Sequence, residues 1–266
     1  SAQESLRQTS HGCMNTTPDL KALWTEMQSQ ACACHDPLIQ DVFATNIGDH
    51  PDFQSALSSL LGTKLADRSI PAAALTRLVA SCMSENPGIA EAAAEDILAT
   101  YDRDPACQDL VTPFLFFKGW HAVQAHRIAF HLWHQGRRPL AYHLQSRMNE
   151  LFAIDIHPAA RLGRRLTIDH GTGIVIGETA IVEDDVSLFQ DVTLGGTGKL
   201  TGDRHPIVRR GVMIGSGAKI LGRLEIGAGA RIGAASVVLE DVPPNVTVVG
   251  NPARLVGSPR IPQAAT

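Results

Sequence analysis

No run of 18 consecutive apolar residues occurs in the sequence, so no bilayer-spanning helix is expected. Ser1 to Asn15 lack the charged-then-apolar order of a secretory leader, and residues 1–18 read as a loose tail. Neither sign of charge prevails. The 23 basic and 27 acidic residues leave −4, which excludes the broad basic footprint of a nucleic-acid binder. Charged residues at 19 % and apolar residues at 44 % exclude a disordered or fibrous chain. Five cysteines cannot pair completely and are too unevenly placed for a disulfide framework. A reducing, cytoplasmic setting is the expectation. Cys32, Cys34 and His35 form a C-x-C-H cluster, but no second cluster stands at zinc spacing, so no metal is expected. There is no G-x-S-x-G elbow, and a covalent acyl-enzyme lacks support. The run G-G-T-G-K at 195–199 lacks phosphate-loop spacing, since Lys199 is followed by Leu200; a nucleotide triphosphatase is excluded.

These scarcities fall unevenly. After residue 150 there is no cysteine and no tryptophan, yet 17 of the 23 glycines lie there. Residues 1–150 carry 11 basic and 16 acidic groups, whereas 151–266 carry 12 and 11. Two building styles share one chain, which suggests an α-helical domain over 19–152, a second domain over 153–243 and a C-terminal tail over 244–266.

The first domain reads as helices. Asp19 can cap a segment with Leu20, Leu23, Trp24 and Met27 on one face. A second segment follows Pro37, with Leu38, Ile39, Val42 and Phe43 as its apolar set; a third spans about 52–66; a fourth follows Pro71. Ile89 to Ala99 is helix-prone, and Tyr101 to Pro105 reads as a turn. A helix over 118–134 would bury Trp120, Ala125, Ala129 and Leu132 and end at Gly136, and a last one would run from Pro139 to Leu151. The histidines at 121, 126, 131 and 134 read as packing and hydrogen-bonding groups, for no ligand partner stands at metal spacing. Alone, this domain carries no catalytic signature.

The second domain keeps a six-residue period. Aliphatic anchors recur at Ile156, Leu162 and Ile168; at Ile176, Val182, Leu188 and Leu194; and at Val208, Ile214, Ile220, Ile226, Ile232 and Val238. Small or aliphatic residues often stand four places after an anchor, as at Ala180, Val186, Val192, Val212, Ala218 and Ala230. Six matches neither the helical period nor simple strand alternation. It fits a parallel β-helix, in which three repeats of six make an 18-residue triangular coil and the anchors stack inside as ladders. Each buried anchor contributes roughly 1.5–3 kcal/mol. Gly215, Gly227 and Gly233 directly follow anchors, where a Cβ would crowd a corner.

The period slips twice. Ile168 to Ile176 is eight residues, around Asp169, His170, Gly171, Thr172 and Gly173. Leu194 to Val208 is fourteen, so the excess must protrude as a loop over 195–206. These slips hold His170 and His205, two of the three histidines of the domain. Asp155 precedes His170 by 15 residues, close to one coil, and is expected beside it in the neighbouring coil. An acid accepting from one ring nitrogen would fix the tautomer, leaving the other nitrogen to remove a proton from a hydroxyl. Such general-base catalysis supplies roughly 10²–10⁴-fold. Direct transfer in a ternary complex is the simpler mechanism.

The stretches D-I-H-P-A-A at 155–160, I-D-H-G-T-G-I-V-I-G-E-T-A at 168–180, V-T-L-G-G-T-G-K at 192–199, D-R-H-P at 203–206, G-V-M-I-G-S-G-A-K-I-L-G at 211–222 and N-P-A-R-L-V-G at 251–257 resemble the serine acetyltransferases, a family of left-handed β-helix acyltransferases. D-R-D-P-A at 102–106 carries the resemblance into the helical domain. It implies acetyl transfer from acetyl-CoA, as co-substrate, to the hydroxyl of L-serine, the first step of cysteine biosynthesis. It implies His170 as general base with Asp155 as its partner. It implies Asp104, Asp169, Arg204 and His205 as serine-binding groups, Arg204 meeting the carboxylate and the aspartates the ammonium. Gly196, Thr197 and Gly198, with Ser216 and Ala234, would line the acetyl-CoA groove. Members are homotrimers through the β-helix, often paired as hexamers, with sites between subunits and feedback inhibition by L-cysteine. They partner O-acetylserine sulfhydrylase through a C-terminal isoleucine, whereas this chain ends Ile261 to Thr266, which leaves that partnership open. A hexapeptide acyltransferase with another acceptor is the rival enzyme reading. A scaffold without catalysis is the other, and it requires His170 to be dispensable.

Overall fold

The computed structural model describes residues 17–198 and 201–257. Most of the expected N-terminal tail, Lys199 and Leu200 of the loop, and the chain end from residue 258 lie outside the described residues. The chain divides into two compact units, 1–124 and 125–266. The dividing point lies inside a helix, upstream of the change from helix to strand. No described helix is long and apolar enough to cross a membrane.

In the first unit, α1 (Leu20–Cys32) is capped by Asp19, whose carboxylate accepts from the N–H groups of Lys21 and Ala22, both at 3.0 Å. Asp52 caps α3 (Phe53–Leu65) in the same way through Ser55 N at 2.7 Å. Between them the expected second segment is corrected: α2 (Gln40–Phe43) is a single turn with no buried residue, and it runs on as a π-turn (Ala44–Gly48) that buries Ile47. Leu38, expected on an inner face, is 93 % exposed. Next come α4 (Ala72–Glu85) and α5 (Gly88–Arg103). The turn expected over Tyr101–Pro105 starts later than read, because Tyr101, Asp102 and Arg103 contain no breaker and α5 runs through them. Pro105 disfavours helix at the residue before it, and Asp104 is accordingly extended, with φ −96° and ψ 107°. A short α6 (Val111–Phe116), not foreseen, starts where Asp109 accepts from Thr112 N at 2.6 Å. The core is aromatic: Phe114 lies 6.2 Å from Trp24, 5.9 Å from Phe53 and 5.5 Å from Trp120, centroid to centroid.

The helix α7 (Lys118–His134) crosses the dividing point. Its later half and α8 (Arg138–Phe152) belong to the second unit. There His126 Nε2 meets the Ala160 carbonyl at 3.1 Å and Arg127 donates to the Gly163 carbonyl at 2.9 Å. Ala153 adopts a left-handed conformation, φ 55°, and ends α8 where the strands begin.

Short strands, numbered in chain order, then form three parallel faces of a solenoid of about five turns. Face I stacks β1 (Ile154–Ile156), β4 (Ile174–Ile176), β7 (Thr193–Gly195), β10 (Lys219–Leu221) and β13 (Val237–Val238). Face II stacks β2 (Arg161–Leu162), β5 (Ile181–Val182), β8 (Ile207–Val208) and β11 (Glu225–Ile226). Face III stacks β3 (Thr167–Ile168), β6 (Ser187–Leu188), β9 (Met213–Ile214), β12 (Arg231–Ile232) and β14 (Thr247–Val249), with β15 (Arg254–Val256) added antiparallel at the end. Eleven of the 13 anchors are buried; Leu162 and Ile168 are partly exposed, because β2 and β3 belong to the first coil and have a neighbour on one side only.

The register reproduces the slips. Ile176 pairs with Leu194 and Ile220 with Val238, each 18 residues on. Ile156 pairs with Ile176, 20 on, which is 18 plus the two extra residues at His170. Leu194 pairs with Ile220, 26 on, which is 18 plus the eight extra residues of the loop. Glycine after an anchor allows close coil stacking: a Cβ on Gly215 would fall 2.7 Å from Ala234 N.

Candidate active site

His170 sits on the corner between β3 and β4, where face III turns into face I. Two residues more than a regular corner are folded there by three left-handed backbones in a row of four residues: His170 (φ 57°), Gly171 (φ 76°) and Gly173 (φ 82°). For a histidine that conformation is uncommon and marks a site that its surroundings hold in place. The surroundings are visible. Gly173 N–H donates to the Ala153 carbonyl at 2.7 Å, and a Cβ on Gly171 would fall 2.6 Å from Ile154 Cδ1. The imidazole projects outward, 71 % exposed, with Nε2 3.7 Å from Asp169 Oδ1.

Asp155 is the middle residue of β1 and faces outward, half-buried, from a strand whose flanking residues are buried. Its in-register neighbour is Val175, not His170, since the coil here is 20 residues long rather than 18. The widened corner that carries His170 packs against Ala153 and Ile154, the two residues before Asp155. Among the described residues no hydrogen bond joins Asp155 to His170. The carboxylate accepts instead from Gln145 Nε2 of α8 at 2.6 Å, a partner that the sequence reading missed.

His205 lies at the other end of β4, on the corner where face I turns into face II. Its ring rests on Gly177, where any Cβ would overlap it. Nδ1 accepts the Thr179 N–H at 3.1 Å, and the Thr179 hydroxyl oxygen lies 2.9 Å from the same nitrogen. Burial lowers the imidazole below the usual histidine range, and the Arg204 guanidinium adds to the effect. Arg204 is itself paired with Glu178 at 2.7 Å, and that hydrogen bond holds the Glu178 carboxyl below its ordinary value. His157 belongs to the same corner: burial lowers its ring, while Glu178 and Asp155 act in the opposite sense. Its Nδ1 accepts from Ala159 N at 3.1 Å, and its ring centroid lies 5.2 Å from that of Trp133.

The remaining expected residues divide between these corners. Ser216 and Ala234 follow β9 and β12 on the His170 corner, in adjacent coils linked by Ala235 N–H to the Ser216 carbonyl at 2.8 Å. Gly196, Thr197 and Gly198 follow β7 on the His205 corner, and a Cβ on Gly196 would fall 3.5 Å from His205 Nε2. The groove residues read as one set therefore lie at two ends of face I. Asp104 caps the end of α5 in the helical unit, where its carboxylate accepts from Ala106 N at 2.8 Å. Among the described residues no group of three or more histidine, cysteine, aspartate or glutamate side chains is placed to hold a metal.

A serine acetyltransferase from Salmonella typhimurium is 50 % identical over 243 residues, 91 % of this chain and 89 % of its own. The chain belongs to the serine acetyltransferase family. A Haemophilus influenzae serine acetyltransferase is 47 % identical over 245 residues, 91 % of this chain and 92 % of the relative. The family model described as "Serine acetyltransferase, N-terminal" matches residues 23–125, in the helical region. Solved serine acetyltransferases have the same fold. One from soybean, complexed with serine, is 46 % identical at TM-score 0.87 and covers 91 % of this chain and 100 % of its own. One in complex with cysteine is 48 % identical at TM-score 0.86, covering 88 % and 92 %. One from Brucella abortus in complex with coenzyme A is 46 % identical at TM-score 0.86, covering 88 % and 95 %. Family membership rests on the length of these matches and leaves the role of each side chain to be argued from its position.

Proposed function

We propose that this chain transfers the acetyl group of acetyl-CoA to the hydroxyl of L-serine, with His170 as general base and Asp155 as its orienting partner. The observation that carries the reading is the pair of histidines at the two ends of β4, one projecting on a strained corner and one locked over a glycine. His170 removes the hydroxyl proton, and the serine oxygen attacks the thioester carbon. The carbonyl oxygen takes negative charge, which main-chain donors of the glycine loop are suited to stabilise. The carbon–sulfur bond then breaks, and the departing thiolate takes a proton from the imidazolium. Asp155 stabilises that imidazolium; Gln145, its one side-chain hydrogen-bond partner among the described residues, leaves a second carboxylate oxygen to accept from the ring.

Asp169 and Arg204 bracket the serine zwitterion in this reading, with Asp104 from the helical unit as the further acid. Gly196 to Gly198, Ser216 and Ala234 receive acetyl-CoA. Because the two corners lie at opposite ends of one strand, the site is completed when copies of the chain meet, the His170 corner of one against the His205 corner of the next. A homotrimer around the solenoid supplies that arrangement, and pairing into hexamers is compatible with it. The relatives solved with serine, cysteine and coenzyme A support the ligand assignment, and cysteine in the serine pocket would act as a feedback inhibitor.

The test is the rate of CoA thiol release with serine, homoserine and an amino sugar as acceptors. Serine should be preferred, and a lack of preference rejects the assignment. His170→Ala should lower kcat by about 10²-fold or more with the oligomer unchanged. A small loss at unchanged assembly removes His170 from the role of base.

A further inference from the structure

Resting on the reading of His205 as a group that faces substrate, we propose that Thr179 and Arg223 are positioning residues that hold His205 with Nε2 as its hydrogen-bond donor. The argument begins with what each group can do. A main-chain N–H only donates, so the Thr179 N–H at 3.1 Å requires a lone pair on Nδ1. In the uncharged ring the proton then sits on Nε2, the nitrogen nearer Gly196. His205 is therefore arranged to donate to an oxygen and not to remove a proton, which separates its task from that of His170.

The Thr179 side chain adds a second hold. Its hydroxyl oxygen accepts from the main-chain N–H of Arg204 at 2.9 Å and of His205 at 3.1 Å. One threonine thus fastens both the backbone and the ring of a residue 26 positions later. Arg223 closes the other side. Its Nη1 donates to the carbonyls of Thr179 at 3.0 Å and His205 at 3.1 Å, and its Nη2 to Asp203 at 3.3 Å. The guanidinium lies across the seam where the loop rejoins the coil, and its planar fork suits two acceptors side by side. Without such a clasp the end of a long excursion would be free to move, and a histidine there would sample many orientations.

Nitrogen-15 spectra of the histidine rings, with His205 assigned from the His205→Gln variant, read the tautomer directly. The wild-type enzyme should show Nδ1 unprotonated and Nε2 protonated; the reverse overturns the proposal. Thr179→Val and Arg223→Met should each blur that signature and lower kcat/KM for serine by about tenfold, the scale of one lost hydrogen bond. Thr179→Ser, which keeps the oxygen, should restore activity to within about threefold. Thr179→Val added to His205→Gln should cost little beyond His205→Gln alone, since positioning a side chain that is absent has no value. Additive losses, or full activity of Thr179→Val, overturn the proposal. If His205→Gln itself keeps wild-type kcat/KM, the reading of His205 as a substrate group fails, and the tautomer of Thr179→Val alone then decides whether the clasp holds the ring.

Discussion

At the scale of single residues, the site depends as much on a missing side chain as on those present. Gly177 follows the anchor Ile176, and its place in the hexapeptide pattern gives it the same packing role as Gly215. Its distinguishing duty is to leave a bare surface for the His205 ring. Gly177→Ala should therefore push the ring off its seat and lower kcat/KM by about tenfold or more, with the solenoid intact by circular dichroism. Gly48→Ala, in the helical unit where a Cβ meets nothing within 4 Å, is the matched control and should leave activity unchanged. Equal effects from both would mean that the His205 seat has no part in the reaction. None of this duty is written near Gly177. The ring that covers it comes from 28 residues later, and the excursion that delivers the ring has no period to read. The same limit explains Thr179, Arg223 and Gln145. Each becomes visible only when distant backbone segments meet, whereas His170 and His205 announced themselves by interrupting a regular count.

At the scale of elements, periodicity separated what could be read from what could not. The anchor ladder was legible because every sixth side chain must enter the same interior, so one rule governs 13 positions. Coil lengths of 18, 20 and 26 follow from the two slips by addition. Asp155 falls opposite Val175 rather than Gly173, the partner an 18-residue coil would give it, because the slip itself lengthens the coil to 20. In the helical unit the single turn α2 and the short α6 were misread or missed, since neither is long enough to show a helical face. The helix α7 was read almost to the residue, and its buried histidines give it a pH dependence. Burial pushes His126 down to about 3, with Arg127 and His157 adding to the shift. Burial pushes His121 to about 3 as well, aided by Lys64. Both rings are held neutral in the fold, while the unfolded chain protonates near the usual 6.5. The unfolded state thus binds more protons between those limits, and stability falls as pH drops from about 6.5 toward 3. Urea midpoints should be lower at pH 5 than at pH 7.5, with a shallower dependence in His126→Asn. Equal dependence in wild type and variant would show that this histidine is not held neutral.

At the scale of the whole molecule, the decisive fact is that β4 separates its two histidines. A strand keeps its ends apart whatever the side chains do, so under the proposed mechanism a single chain would offer two half-sites rather than one site. Exposed apolar side chains along the solenoid, Val175 on face I and Met213 and Val249 on face III among them, would give the copies of the proposed trimer an apolar surface on which to meet. If the site forms between copies in a closed ring, two crippled chains can rescue one another. His170→Ala retains an intact His205 corner, and His205→Gln retains an intact His170 corner. Each variant alone should be nearly inactive. Unfolded and refolded together in equal amounts, they should recover about a quarter of the wild-type activity, because one interface in four joins two intact corners in a random mixture. Mixing already folded oligomers should recover nothing until subunits exchange. Were both corners to serve the same chain, no order of mixing would restore activity, since every chain would carry one damaged half. The refolded mixture thus reads the geometry of the site through its chemistry, and it does so without any assumption about which group removes the proton.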